Sequence, residues 1–422
     1  MSMSLNDTPR ANRVHIGFFG RRNAGKSSLV NAVTGQDLAV VSDTPGTTTD
    51  PVYKSMELLP LGPVVIIDTP GFDDTGELGE LRVKKTRQVL NKCDIAILVY
   101  DAASGVTAAD RQLLELIRDR GLPHLIIANK SDRGAAAGDS ATAGPDAATA
   151  SSASAAAPTD NEALCVSALS GQGIHELKER IGALAGTDRH ERHLVGDLLS
   201  PGDLCVLVVP IDSAAPKGRL ILPQQQAIRD ILDADATALV LKEDQLASTL
   251  DILGRQPTMV ITDSQVFGRV ARDTPVDVPL TSFSILMARY KGFLDAAVQG
   301  VRAVDRLRDK DRVLIAEGCT HHRQCDDIGT VKIPRWLHER TGRDLQLEWV
   351  SGTEFPEDLT DYALIIHCGG CMLNEREMRH RMACAADSGV PFTNYGTLIA
   401  HLHGILERSL ELFPHLRAER SA

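Results

Sequence analysis

Apolar and polar positions along this chain fall into three successive stretches, each reading as buried strands alternating with amphipathic helices. Residues 14–19 have the make-up of a buried strand, and beyond a Gly-containing break the spacing of Leu29 and Val33 is helical. Residues 64–67 and 125–128 are further apolar strands, and 171–185 closes the stretch as an amphipathic helix. A polar crossover at 187–200 then leads into a strand at 204–210, a helix at 224–232, a strand at 238–241, a helix at 245–253 and a strand at 258–262. The last stretch has strands at 312–316, 345–350 and 363–366, with a helix around 336–341. Alternation of this kind predicts parallel sheets covered by helices.

One segment breaks the pattern. Residues 134–158 are rich in Ala but interspersed with Gly, Ser, Thr and Pro, which favours a flexible insertion over a helix. No chemistry is assigned to it.

Bulk properties narrow the classes of function. With 422 residues, 43% of them hydrophobic and 24% charged, the chain can build more than one core. A net charge of −11 argues against a nucleic-acid partner, since phosphate binding needs clustered Lys and Arg. No run approaches the ~20 apolar residues that span a bilayer, and the first ten residues lack the apolar core of a signal peptide. The expectation is therefore a cytoplasmic protein with no membrane partner. In that compartment disulfides are rare and grouped cysteines tend to be ligands. Cys93, Cys165, Cys205 and Cys384 stand apart in apolar or helical contexts and read as small buried hydrophobes.

The strand at 14–19 is followed by Gly20-Arg21-Arg22-Asn23-Ala24-Gly25-Lys26-Ser27-Ser28, a GxxxxGKS loop opening a helix. Its glycines let backbone N–H groups turn onto phosphate oxygens at the positive end of the helix. Lys26 is expected on the β- and γ-phosphates and Ser27 on Mg²⁺. Companion motifs end the next strands in the right order. Asp68 of Asp68-Thr69-Pro70-Gly71 suits Mg²⁺, and the Gly71 N–H can sense the γ-phosphate. In Asn129-Lys130-Ser131-Asp132, the Asp132 carboxylate can accept two hydrogen bonds from guanine, a pair that adenine cannot supply, which selects GTP. Cys165-Val166-Ser167-Ala168 closes the base pocket, with the Ala168 N–H near guanine O6. The expected fold class is α/β: a P-loop GTPase domain followed by two further small α/β domains.

Between the first two motifs, the segment from Asp43 to Asp50 resembles switch I of TrmE/Era-like GTPases. By that register Thr48 senses Mg²⁺, and Thr49 replaces the customary Arg. Phe72 stands where Ras-like enzymes carry a water-orienting Gln, so another group or ion must stand in. A P-loop Asn matching Asn23 helps hold K⁺ in several TrmE-like GTPases, which implies slow, K⁺-stimulated hydrolysis here.

The third stretch carries a second chemistry. Glu317-Gly318-Cys319-Thr320-His321-His322 follows one strand, and His367-Cys368-Gly369-Gly370-Cys371 follows another. Two such groups at neighbouring strand ends can face one crevice. The Cys368/Cys371 spacing lets two thiolates grip one centre, with the glycines turning N–H groups toward sulfur. By spacing the set suits an iron–sulfur cluster, structural zinc or, less well, a redox dithiol.

CxH, a long spacer, then HCxxC behind a TrmE-like G domain resembles the FeFe-hydrogenase maturation GTPases, the HydF family. The resemblance covers the whole chain and implies domains at 1–185 (GTPase), 200–300 (dimerisation) and 301–422 (iron–sulfur). It implies a 4Fe–4S cluster on Cys319, Cys368 and Cys371, with His321 and His367 as fourth ligand or neighbours. A di-iron precursor of the hydrogenase active site would be carried nearby. The partners implied are radical-SAM maturases, apo FeFe-hydrogenase and a second copy of the chain. The alternative is a zinc-containing TrmE/Era-like GTPase acting in RNA modification or ribosome assembly.

Overall fold

The computed structural model describes residues 8–35, 51–59, 61–72, 77–133, 163–186, 192–211, 220–318, 327–352, 354–356 and 358–417, with 77–82 and 133 described by backbone alone. They divide into two compact units, residues 1–190 and 191–422.

The first unit is a six-stranded sheet of β1 (Val14–Phe19), β2 (Val52–Leu58), β3 (Gly62–Asp68), β4 (Ile95–Asp101), β5 (His124–Asn129) and β6 (Leu164–Cys165), in the order β2-β3-β1-β4-β5-β6. Only the β2–β3 pair is antiparallel; the others run parallel. Strand alternation sends Ile16 and Phe18 to one face, where they pack with Leu29 and Val33 of α1 (Lys26–Thr34). Phe19, Val65 and Ile67 belong to the opposite core, with Val89 and Leu90 of α2 (Glu77–Leu90) and Leu113 and Ile117 of α3 (Ala108–Asp119). A capping box starts α3: the Asp110 carboxylate accepts from the Thr107 N–H at 3.0 Å and its hydroxyl at 2.7 Å. The closing helix α4 (Ile174–Gly186) returns Leu177 and Ile181 to the first core. The loop after β1 lies where the chain leaves for β3 on one side and β4 on the other, the crevice that open α/β sheets use for ligands.

The second unit contains two four-stranded parallel sheets. One is built from β7 (Leu204–Val208), β8 (Thr237–Leu241), β9 (Met259–Thr262) and β10 (Leu280–Ser282), in the order β10-β9-β7-β8. Its helices are α5 (Leu222–Asp233), α6 (Leu246–Ile252), α7 (Phe267–Asp273), α8 (Phe283–Tyr290) and α9 (Leu294–Val301). The other is built from β11 (Arg312–Glu317), β12 (Gln346–Ser351), β13 (Tyr362–His367) and β14 (Phe392–Asn394), in the order β12-β11-β13-β14, with α10 (Ile333–Thr341), α11 (Glu375–Asp387) and α12 (Tyr395–Leu402).

One continuous apolar core joins the two sheets, running from Val206 and Phe267 through Leu286 and Val298 to Ile365 and Leu398. The seam is tight. Phe293 meets Phe392 edge-on with ring centroids 5.9 Å apart, and the Thr393 hydroxyl donates to the Ala297 carbonyl at 2.9 Å. In the last sheet the switch in strand order falls between β11 and β13, the two strands that lead into Cys319 and Cys368.

Cys93 and Cys205 are buried as expected, whereas Cys165 is exposed and Cys384 half-buried. The β6 edge strand is only two residues long and alternates inward Leu164 with outward Cys165. Among the described residues no helix is long and apolar enough to cross a membrane.

Candidate functional site

The loop after β1 converges with the ends of β3, β5 and β6. Lys26, buried at the start of α1, donates its ammonium to the carbonyls of Gly20 (3.0 Å) and Arg21 (2.8 Å). The Ser27 hydroxyl donates to Asp68 Oδ2 at 2.6 Å, while Asp68 Oδ1 is buried and finds no partner among the described residues. Burial pushes the Asp68 carboxyl above its usual range, against the lowering by Ser27 and Lys26. A hydroxyl and a carboxylate, one of whose oxygens is buried and unpartnered among the described residues, form a donor pair that suits a divalent cation. Ser28 follows in the first turn of α1, half-buried. Gly71 lies so close to the loop that an added Cβ would stand 2.7 Å from the Arg22 amide nitrogen.

Asn129 staples the phosphate loop to the base loop. Its amide donates to the carbonyls of Ala24 (3.1 Å) and Gly25 (3.4 Å) and its oxygen accepts from the Ala168 N–H (3.2 Å). The Lys130 ammonium reaches the Asn23 carbonyl at 2.6 Å and Asp101 Oδ2 at 2.8 Å, and Asp132 accepts from the Ser167 hydroxyl at 2.6 Å. Asn23 itself is exposed and holds a left-handed φ of 62°. Phe72 is buried in the apolar core beside Phe19, so its side chain orients no water. Thr48 and the rest of 43–50 lie outside the described residues.

The second centre forms at the ends of β11 and β13. In their parallel register Ala316 faces His367, and the Cys368 N–H donates to the Ala316 carbonyl at 2.9 Å. The Cys368 sulfur accepts from the Gly318 N–H at 3.0 Å and from the Gly370 N–H at 3.4 Å. Gly370 turns its amide inward at φ 64°, a left-handed conformation that a side chain disfavours. Burial pushes the Cys368 thiol up, and burial together with neighbouring Cys368 pushes Cys371 up to about 12; the Lys291 charge pulls Cys371 the other way. The unloaded thiols therefore hold their protons, and a metal must displace them.

His367 is fully buried and stacks on Phe392 with ring centroids 5.7 Å apart. Its Nδ1 lies 2.7 Å from the Cys368 carbonyl and its Nε2 lies 3.0 Å from Arg381 Nη1. Burial and the Arg381 charge push its pKa down to about 3, so the ring is neutral.

Cys319 and His321 lie outside the described residues, as do His322 and Cys325. Among the described residues no three His, Cys, Asp or Glu side chains gather on one point. The donor chemistry at Cys368 still fits a soft metal, since two N–H groups aimed at one sulfur favour a thiolate.

Sequence reasoning missed several neighbours of both sites. Asp101, which pairs with Lys130, ends β4, an apolar strand whose terminal carboxylate was the available signal. Glu377 and Arg381 lie on α11, and Tyr395, whose hydroxyl donates to Glu317 Oε1 at 3.0 Å, begins α12. Nothing in the sequence distinguishes those three from ordinary surface residues.

Family models match the chain in three consecutive segments. Residues 15–130 match the model described as 50S ribosome-binding GTPase, 194–292 the hydrogen maturase F dimerization domain, and 295–412 the hydrogen maturase F tetramerization domain. Among curated proteins, the tRNA modification GTPase MnmE of Synechococcus sp. (strain RCC307) is 30% identical over 257 residues, 61% of this chain and 49% of that protein. GTPase Der of Rhizobium etli (strain CIAT 652) is 36% identical over 180 residues, 41% of this chain and 34% of that protein. The chain thus spans half or less of the length of these relatives. A crystal structure of Aquifex aeolicus Era with GDP and AlF4⁻ aligns at a TM-score of 0.33 and 17% identity, covering 57% of this chain and 98% of that one.

Proposed function

The chain belongs to the hydrogen maturase F family, and from that premise we propose that it is a GTP-hydrolysing scaffold and carrier for FeFe-hydrogenase assembly. It holds a 4Fe–4S cluster, receives a di-iron precursor of the hydrogenase active site from radical-SAM maturases, and delivers it to the apo-hydrogenase. The observation that carries this reading is the Gly318 N–H on the Cys368 sulfur at 3.0 Å. It brings the residue before Cys319 against the first thiol of HCxxC, as a three-thiolate set requires.

In the first unit Lys26 leaves the loop carbonyls for the β- and γ-phosphates when GTP binds. Gly20, Ala24 and Gly25 shape the loop around those phosphates, and Gly71 offers its N–H to the γ-phosphate. Ser27, Thr48 and Asp68 would hold Mg²⁺. Asp132 accepts from guanine N1 and N2, the Ala168 N–H meets O6, and Ser167, Asn129 and Lys130 brace that pocket. With Phe72 turned into the core, the missing charge comes from K⁺ beside Asn23, and hydrolysis is slow without it.

In the second unit Cys319, Cys368 and Cys371 would hold the cluster, with His321 beside the first of them in sequence. When bound, a four-iron cluster on three thiolates supplies one iron open to exchangeable ligands. The Gly318 and Gly370 amides stabilise charge on the Cys368 sulfur. Two of the matched family models are named for dimerization and tetramerization, which supports self-association of the 194–412 region. GTP turnover in this reading changes how the cluster unit meets its partners rather than supplying the redox chemistry.

Transfer tests the proposal. Chain prepared without oxygen and loaded by the maturases should activate purified apo FeFe-hydrogenase, and Cys371→Ser should abolish that while leaving GTP hydrolysis intact. Loaded wild-type chain that fails to activate a competent apo-hydrogenase would reject the carrier role.

A further inference from the structure

Arg381 is fully buried in the middle of α11, an expensive place for a guanidinium. Its Nε and Nη2 donate to Glu377 Oε1 at 3.0 and 2.9 Å, Nη2 also donates to the Gly352 carbonyl at 2.8 Å, and the group lies 5.0 Å over the Phe355 ring. Glu377, one turn earlier and itself buried, neutralises the charge. The remaining contact is Nη1 to His367 Nε2 at 3.0 Å.

Donor and acceptor rules settle the state of that imidazole. A guanidinium can only donate, so Nε2 must present its lone pair to Arg381. A carbonyl can only accept, so Nδ1 must carry the proton it gives to the Cys368 carbonyl, 2.7 Å away. Both ring nitrogens are thus committed, and the Phe392 stack fixes the ring plane. An imidazole binds iron through a free lone pair, and the lone pair of His367 already faces Arg381.

We infer that Arg381 is a positioning residue: by occupying His367 Nε2 it commits the imidazole to holding the Cys368 peptide and keeps it from ligating iron. The inference rests on reading Cys368 as a cluster ligand. The Glu377–Arg381–His367 chain then orients the turn that carries Cys368, Gly370 and Cys371, and the fourth iron finds its ligand elsewhere.

Two measurements on the full chain test this. In the metal-free protein, nitrogen-15 NMR of His367, assigned by loss of its signals in His367→Gln, should show a single tautomer protonated at Nδ1. Arg381→Lys, which keeps a donor, should leave the Nε2 shift close to that of wild type, whereas Arg381→Met should move it toward that of an unbonded lone pair while the Nδ1 proton stays on the Cys368 carbonyl. A wild-type ring protonated at Nε2, or an Nε2 shift unchanged in Arg381→Met, would overturn the inference. In the reconstituted, reduced protein, pulsed EPR should detect the same nitrogen couplings in wild type and His367→Ala. A strongly coupled nitrogen present in wild type and lost in His367→Ala would make His367 a ligand and reject the proposal. Should Arg381→Met fail to fold, the wild-type tautomer, Arg381→Lys and the EPR pair still decide. Failure of the wild-type chain itself to assemble a cluster would instead reject the carrier reading and leave the tautomer result standing.

Discussion

Asn23 adopts a left-handed backbone on an exposed loop, with its carbonyl taken by Lys130 and its side chain turned to the surface. Placed there, a side-chain amide can complete the coordination of a monovalent cation beside the phosphates. Hydrolysis should run several-fold faster in K⁺ than in Na⁺, and Asn23→Ala should erase the difference; equal wild-type rates in the two salts would remove the idea. Asp132 offers a second test. Each hydrogen bond to its carboxylate is worth about 1.5–3 kcal/mol. Asp132→Ala should therefore weaken GTP binding on the order of 100-fold or more in a titration calorimeter, with little change in thermal stability. The placement of Lys26 and Ser27 at the start of α1 and of Asp132 just beyond β5 was legible in the sequence because strand-end loops with fixed spacing leave little freedom in where their residues fall. The burial of Arg381 was not. Paired with Glu377 four residues earlier, it mimics a solvent-exposed helical ion pair, and only the fold reveals that both are buried.

The same contrast holds for elements. Strands β1, β5, β11 and β13, largely buried on both faces, were found from their apolar runs to within a residue or two. Strand β2, mostly exposed along an antiparallel edge, carries no comparable run and was missed. Helix α11 was missed as well, since its charged face is partly the buried one. The seam between the two sheets of the second unit was also illegible, because it includes close crossings that only small residues allow. An added Cβ on Gly300 of α9 would meet the Phe392 carbonyl oxygen of β14 at 2.1 Å. Backbone cannot yield as a side chain can, so Gly300→Ala should cost about 1–3 kcal/mol or more. Urea unfolding of the full chain should show that loss in the transition of the second unit, with nucleotide affinity unchanged.

At the scale of the molecule, a nucleotide site built on one sheet is joined in sequence to a thiol site built on another, each at the switch point of its own sheet. The chain shares its first part with GTPases and its remaining length with hydrogen maturase F domains. That union of domains supports the proposed carrier over the RNA-modifying alternative. Reconstitution tests the proposed four-iron cluster of the second site directly. Full-length chain reconstituted anaerobically with iron and sulfide should bind about four irons and, once reduced, give the EPR signal of a 4Fe–4S cluster. Cys368→Ser should lose most of that iron. A colourless protein carrying stoichiometric zinc and no EPR signal would rule the cluster out.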